Sequence, residues 1–496
     1  MKKLSFILRS IWLSTAIGII MLSSSCSDLL DVEAEGTVSG DIYASEADIE
    51  KALIGAYYGF GGINDGSVGG ELMGGDFILM PTLLARENNT EISWDDVNGP
   101  TYSNFMDKNI LVANGQVEAN WRRAYEVINT LNNILENIDN VSNATAKNRI
   151  QGEALAMRGI LYFEMIRLWG RQYSATTLDR EAIPLKLTPI TEVSQISTPE
   201  LATIEDIYTQ AEWDLIDATS LLKDLGKNGT NLSYYTCQGY LMRLNLQKRD
   251  FVTANAYADT IITSGEFQLA ADPLAAFNNT VNSTEDIFAV QQTAANNAGD
   301  RSTGTGLPNF VSSLSESGLG VMRILESSLT LAIRKNGPQY SAADLRGTVD
   351  NAADATTTSA NINSAFYTNV LNTSTLSSSK YMSADRVIPI IRLAEIHLSR
   401  AEAIYEQDIN VVDPEALSDL NIVRNRAGLP SLLETDFFNS FAFYDSLVLE
   451  RKRELIYEGV LFHDLKRWEA KIGNTVATSS KFVLPIPQAE TDTWTN

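Results

Sequence analysis

Apolar residues along this chain recur mostly at helical spacing. From Ala154 to Trp169, the residues Ala154, Met157, Leu161, Tyr162, Met165, Leu168 and Trp169 fall at i, +3, +7, +8, +11, +14 and +15, one stripe of a helix that Gly170 ends. Similar stripes run through Trp121 to Ile138, Ile207 to Leu222, Leu393 to Tyr405 and Leu447 to Leu465. Three stretches read as helix pairs of tetratricopeptide type, in which small residues permit close crossing and a large one fills the gap. They are Gly239-Tyr240 followed by Asp250-Phe251, Ala254 and Tyr257-Ala258; Ala401-Glu402-Ala403 with Tyr405 followed by Pro414-Glu415-Ala416-Leu417; and Trp121 to Ile138 followed by Ile150 to Trp169. The pattern predicts a mainly α fold: helix pairs as scaffold, long irregular loops, and minor β structure.

Between the pairs the helical period lapses. Gly59 to Gly115 holds Gly-Gly at 61, 69 and 74, with Trp94 and Tyr102 in polar surroundings. Ala294 to Ser383 is broken by Gly and Pro, and Ser, Thr and Asn make up 18 of the 33 residues from Thr348 to Lys380. Loops of such length inside a compact protein are usually functional or disordered. A helical platform with two large loop regions suits binding.

At the N-terminus, Lys2, Lys3 and Arg9 precede an apolar run from Ile11 to Leu22. That run is shorter than the roughly 20 residues of a membrane span and fits the core of an export signal. Leu22-Ser23-Ser24-Ser25-Cys26 resembles the lipobox of bacterial lipoproteins, with Ser23 where an apolar residue is usual. Residues 1–25 are expected to be cleaved and Cys26 to carry the lipid anchor, which leaves Cys237 without a disulfide partner. No later apolar run approaches membrane length, so residues 26–496 are expected to form one soluble domain, with halves at about 26–230 and 231–496.

Charge narrows the chemistry. Lys+Arg 38 against Asp+Glu 62 gives a net charge of -24, which repels nucleic-acid phosphates. With His397 and His463 the only histidines, His- or Cys-rich zinc sites lack ligands; neither metal nor cofactor is expected. P-loop, zincin, hydrolase-elbow and CxxC motifs are missing, so enzyme activity is not expected, although paired carboxylates among so many acids leave it open. The run Glu450-Arg451-Lys452-Arg453-Glu454, extending to Glu458, reads as an i,i+4 ion-pair ladder rather than an anion site. Both histidines read as hydrogen-bonded packing residues. Loop aromatics carry the binding signal, because Trp and Tyr offer flat faces to sugar C–H groups while Asn, Asp and Arg bond hydroxyls. Arg86, Asn88, Trp94, Asp96, Tyr102 and Asn104 form one such set. Tyr340 and Tyr367, with Phe366 and Tyr381, form a second.

The chain resembles the SusD/RagB family of outer-membrane lipoproteins. The resemblance rests on Cys26-Ser27-Asp28-Leu29-Leu30-Asp31, on Gly152 to Phe163 through Arg167-Leu168-Trp169-Gly170, and on a C-terminal series in the family's order. That series comprises Ile391 to Glu395, Ala401 to Ala403, Leu420-Asn421 with Val423-Arg424 and Arg426 to Leu429, Glu450 to Leu455 with Glu458-Gly459, Phe462 to Trp468, and Leu484 to Gln488. The resemblance implies a SusD-like fold and a surface-exposed lipoprotein, held to the membrane by its N-terminal lipid. It further implies capture of nutrient oligomers, usually oligosaccharides and in some relatives peptides, for a SusC-like TonB-dependent transporter, without catalysis. The Gly-rich loop with Trp94 and Tyr102 corresponds in order to the region where starch-binding members place aromatic contacts.

Overall fold

Helix ends follow the sequence closely, because most starts carry a residue whose side chain can accept from the first free N–H groups. In the computed structural model, residues 40–64, 69–86, 92–94, 101–227, 229–300, 302–312, 322–325, 344–346, 367–368 and 375–494 are described, with the backbone alone at 40–41, 92–94, 323–325, 367–368 and 375–377. The leader and Cys26 lie outside them.

In chain order the first elements are α1 (Glu46–Phe60), α2 (Asp76–Leu84), β1 (Ile92–Trp94), α3 (Ser103–Met106), α4 (Gly115–Glu136) and α5 (Ala144–Trp169). Next come β2 (Glu181–Pro184), β3 (Leu201–Thr203), α6 (Ile204–Leu222), α7 (Tyr234–Lys248), α8 (Phe251–Ser264), β4 (Asp286–Val290), α9 (Gly306–Val311) and β5 (Met322–Leu325). After β6 (Tyr367–Thr368), β7 (Thr375–Ser378) and β8 (Ile388–Arg392) follow α10 (Leu393–Gln407), α11 (Pro414–Arg426), α12 (Ser440–Glu454), α13 (Val460–Arg467), β9 (Lys471–Ile472), β10 (Thr475–Val476) and α14 (Gln488–Thr491). The fold is mainly α, as expected. Asn114 caps α4, Asn143 caps α5, and Thr203 with Asp206 forms a capping box on α6.

The predicted helix over Ala154–Trp169 is the second half of α5, and its burial exceeds one stripe. Every residue from Gly152 to Trp169 is buried. Gly159 allows this by close approach: a Cβ there would lie 2.9 Å from the Ala211 carbonyl oxygen of α6. The charged residues enclosed with the helix are paired, Arg158 donating to both carboxylate oxygens of Asp214 at 2.8 Å. Trp169 stands edge-on to Trp121 at 5.7 Å, and its Nε1 donates to the Pro485 carbonyl at 3.0 Å. The three expected helix pairs are present in space: α4 on α5, α7 on α8, and α10 on α11.

Three expectations are corrected. Gly59 to Gly115 is not all loop, since α2 runs through it with all nine residues buried. A helix enclosed on every side needs no polar face, so Phe77–Leu84 shows no stripe. The stripe from Leu447 to Leu465 is not one helix: it breaks between α12 and α13, where Tyr457 and Gly459 have φ of 62° and 73°. Gly459 is required there, because a Cβ would sit 2.9 Å from Ile78 Cα of α2. Finally, the charges of α12 are no solvent-facing ladder. Within the helix only Arg453 approaches Glu450, at 3.9 Å, among the described residues. The stronger bonds cross to other elements: Arg392 of β8 reaches Glu454 at 3.2 Å and Glu458 at 2.7 Å, Arg426 reaches Glu454 at 2.5 Å, and Arg346 reaches Glu450 at 2.7 Å.

Trp169→Ala is expected to cost about 3–5 kcal/mol, since it opens a cavity between α4 and α5 and frees the Pro485 carbonyl. Urea unfolding of the two proteins measures it; a loss under about 1 kcal/mol would refute the packing role.

Candidate functional site

Adjacent helical positions point about 100° apart, so of two neighbouring tyrosines on a half-buried helix one turns outward. On α1, Tyr57 turns in. Its hydroxyl donates to Glu153 Oε2 of α5 at 2.8 Å and accepts from Leu232 N at 2.9 Å. Asn231 Nδ2 donates to the same carboxylate oxygen at 3.0 Å. Burial raises the Glu153 pKa against these hydrogen bonds and the Arg149 charge. Tyr58 turns out and is 42% exposed.

Tyr58 is the ridge between two hollows. The larger, about 450 Å³, lies between the end of α1 and β4 with the residues that follow it. Tyr57, Phe60 and Phe288 give it an apolar wall, and Asn231, Gln291 and Asn296 give it amides. The smaller, about 320 Å³, adds Asn64, Arg123 and Glu126, and shares Tyr58, Ile63 and Asn296 with the first. Among the described residues no side-chain hydrogen bond engages the Tyr58 hydroxyl or the Asn296 amide, so both remain available to a ligand. Gln291 is held by Asn282 at 2.8 Å and Gln292 by the Arg386 carbonyl at 2.9 Å, which fixes this wall before anything binds.

From the cleft the surface continues through the Gly-rich turn, where Asn64 N donates to the Asn297 carbonyl at 2.8 Å, to α9. Beyond α9 lies a small antiparallel sheet of order β1-β5-β7-β6, joined to the end of α9 by the Ser312–Ser378 bridge. This sheet holds one member of each aromatic set expected from sequence: Trp94 pairs with Met322 on one edge strand and Tyr367 with Ser378 on the other. Three strand spacings, about 14 Å, separate those edges.

Other expected site residues fall differently. Tyr102 serves the scaffold: its ring packs on Phe310 at 4.8 Å and its hydroxyl donates to Asp76 Oδ1 at 2.8 Å. Arg86 is buried behind α2, where its carbonyl accepts from Lys108 Nζ at 3.2 Å. Tyr381 is likewise enclosed, edge-on to Phe277 at 5.7 Å. Asn104 is half-buried on α3. Asn88, Asp96, Tyr340 and Phe366 lie outside the described residues, as do the side chains of Trp94 and Tyr367. The sequence reading missed Tyr58, Asn231 and Asn296. The Tyr57-Tyr58 doublet was the available signal, but it needed α1 to be recognised as half-buried.

The histidines also divide. His397 Nδ1 lies 2.7 Å from Asp419 Oδ1, a packing hydrogen bond as expected. His463, against expectation, is buried with no hydrogen bond at either ring nitrogen. Among the described residues no group of three or more His, Cys, Asp and Glu could hold a metal ion, and no helix is long and apolar enough to cross a membrane.

Comparison with known proteins adds the following. A family described as the SusD family matches residues 277–494, and one described as starch-binding associating with outer membrane matches residues 77–236. A SusD-like protein P2 from Formosa agariphila is 27% identical, with 96% of each chain covered. Among solved structures, a SusD superfamily protein from Bacteroides thetaiotaomicron superposes with a TM-score of 0.73 at 22% identity, covering 90% of this chain and 98% of that one. A SusD-like carbohydrate binding protein from Bacteroides vulgatus gives 0.67 at 19% identity, covering 86% and 84%.

Asp76 supports the face from below, accepting from Tyr102, from Gln116 Nε2 at 2.5 Å and from Asn120 Nδ2 at 2.6 Å. Burial nonetheless pushes its pKa up to about 7. A carboxyl raised in the folded state favours folding below its unfolded value near 4, and that advantage disappears as pH rises through about 7. Unfolding free energy should therefore fall by a few kcal/mol between about pH 4.5 and 7.5 through this group. Asp76→Asn should remove that share of the slope, as measured by denaturant unfolding; parallel profiles would show that Asp76 ionises freely.

Proposed function

We propose that this chain, a member of the SusD family, captures nutrient oligosaccharides at the outer membrane and passes them to a SusC-like TonB-dependent transporter without acting on them chemically. The relatives supply the class, through names that speak of starch binding with outer-membrane association and of carbohydrate binding. The observation that carries the reading is the cleft at Tyr58. An exposed tyrosine face stands between two hollows, with amide groups beside it, and it can lie against the C–H face of a sugar ring while the amides bond hydroxyls. In this proposal residues 26–496 act as one unit after removal of 1–25, anchored through lipid on Cys26. Asn88, Trp94, Asp96, Asn104, Tyr340 and Tyr367 are proposed as a second set of contacts.

A peptide ligand is the second reading. It is favoured by the Arg123–Glu126 pair, 3.5 Å apart, in the hollow beside Tyr58, where peptide termini could exchange with it.

An array of glycans and peptides probed with residues 27–496 separates the two. Tyr58→Ala should lower affinity for the captured glycan tenfold to hundredfold, about 1–3 kcal/mol of lost contact, with Tm unchanged because the ring is exposed. Undiminished binding by the variant would move the site elsewhere, and hits confined to peptides would favour the second reading. Cys26→Ser should move the protein from the outer-membrane fraction to the soluble one, since acyl chains supply the anchor in this proposal. Retention of the variant would argue against the lipid.

A further inference from the structure

Behind the binding face, among α2, α5, α7, α10, α12 and α13, lies a small, partly open cavity of about 40 Å³. A water molecule needs about 10–15 Å³ of such space, so there is room for about three bodies of that size. Its lining is half apolar and half polar, and part of the polar half is unsatisfied. Arg167 Nε, Arg467 Nη1 and both ring nitrogens of His463 are buried without a hydrogen-bond partner. The three residues are more than nine-tenths buried, and all line the cavity. Such groups are costly to leave unpaired in a folded interior.

The carboxylates nearby are already committed. Glu395 gives both oxygens to Arg243, at 2.8 and 2.6 Å, and Asp464 gives both to Arg451, at 2.7 and 3.2 Å. Glu164 pairs with Arg167, Glu402 with Arg467 at 2.5 Å, and Glu458 turns away to Arg392 and Lys380, each at 2.7 Å. One cation is left over. Lys466 has no carboxylate partner among the described residues; its Nζ donates to the carbonyls of Arg167 at 2.6 Å and Gly170 at 3.1 Å, at the end of α5. The cavity lining itself carries Arg167, Arg243, Arg451 and Arg467 against Glu164, Glu395, Glu458 and Asp464, and Lys466, bonded to the end of α5, adds a positive charge beside it.

We propose that the cavity is a binding site for a single small monovalent anion, a halide such as chloride, which accepts from Arg167 Nε, Arg467 Nη1 and the N–H of neutral His463 and balances the charge of Lys466. The geometry favours it over water in donor count, because the unpaired atoms offer four N–H groups, one on Arg167 Nε, two on Arg467 Nη1 and one on neutral His463, against one acceptor. The electrostatics agree: burial first, then Arg167, Lys466, Arg243 and Arg467, hold the His463 pKa well below its usual value. Burial also lowers Lys466 to about 7, so its positive charge is present below neutral pH. Bound there, the ion would tie α5 to α13 beneath the ligand face.

The test uses residues 27–496 at a pH below 7. Replacing gluconate by chloride at constant ionic strength, up to about 300 mM, should raise Tm by about 2 °C, since gluconate is too large for the cavity. Crystals soaked in bromide should give an anomalous peak in contact with Arg167 Nε and Arg467 Nη1. Lys466→Met should abolish the chloride effect; if it fails to fold, the two wild-type measurements decide alone. Equal Tm in both salts, or a cavity holding only water after the soak, overturns the proposal.

Discussion

Arg346 and Arg392 have no exposed surface, and each faces carboxylates contributed from separate stretches of chain. Arg392 meets Glu285, just before β4, at 2.7 Å, and Glu454 at the end of α12 and Glu458 within the α12–α13 break. Arg346 meets Asp344, Glu450 and Glu454 at 3.0, 2.7 and 3.3 Å. Withdrawing ions from water costs several kcal/mol each, so these charges can remain buried only if every neighbour is in place. Burial alone would raise the Glu454 pKa, yet Arg426, Arg392, Arg346 and Lys380 hold it at about 2. The network therefore contributes less to net stability than to selecting one arrangement: removing any one charge would leave a partner uncompensated.

That arrangement is what breaks the α12–α13 stripe and supports the break. Lys380 Nζ donates to the carbonyls of Glu454 and Ile456, both at 2.8 Å, and to Glu458 at 2.7 Å. The oxygens freed where the helix stops are thus satisfied by a residue from the far side of the long Ser/Thr/Asn-rich stretch. With the helix broken, Gly459 can lie on the backbone of α2, and α13 packs against the same helix. Since α2 begins at Asp76 and Asp76 holds Tyr102, which packs on Phe310 of α9, the charge network is linked through contiguous packing to the surface proposed to bind ligand.

How legible each part was depended on whether its cause was local. Stripes are local, so α4, α5, α6 and α10 could be read from apolar spacing such as that from Ala154 to Trp169. α2 was invisible because burial on all sides erases the period. The α12–α13 break was hidden because apolar spacing from Leu447 to Leu465 runs through it, while the cause, Lys380 and α2, lies far off in sequence. The charges of Glu450 to Glu454 carry the same spacing whether they face water or Arg392, so their burial was not written in that segment. The small sheet joins residues 92–94, 322–325 and 375–378, and no pattern within those strands announces their pairing. Tyr58 and Asn296 meet only because α1 and the chain after β4 do.

The face proposed to bind ligand is held from beneath by carboxylates and from above by nothing among the described residues. Asp76 holds Tyr102, Gln116 and Asn120, and Glu153 holds Tyr57 and Asn231; both carboxylates are almost entirely enclosed. A buried acceptor with two or three donors fixes their positions closely, because moving any of them strands a polar group away from water. Outward-facing positions carry no such obligation. Tyr58 and Asn296 can be exchanged at little cost to folding, since their side chains satisfy no buried partner. This division gives a physical reason why the helices and buried ions of this scaffold can stay as they are when the proposed contact residues are exchanged. The constraint that makes the interior specific is spent below the surface, and the residues that would touch a sugar are left free to vary.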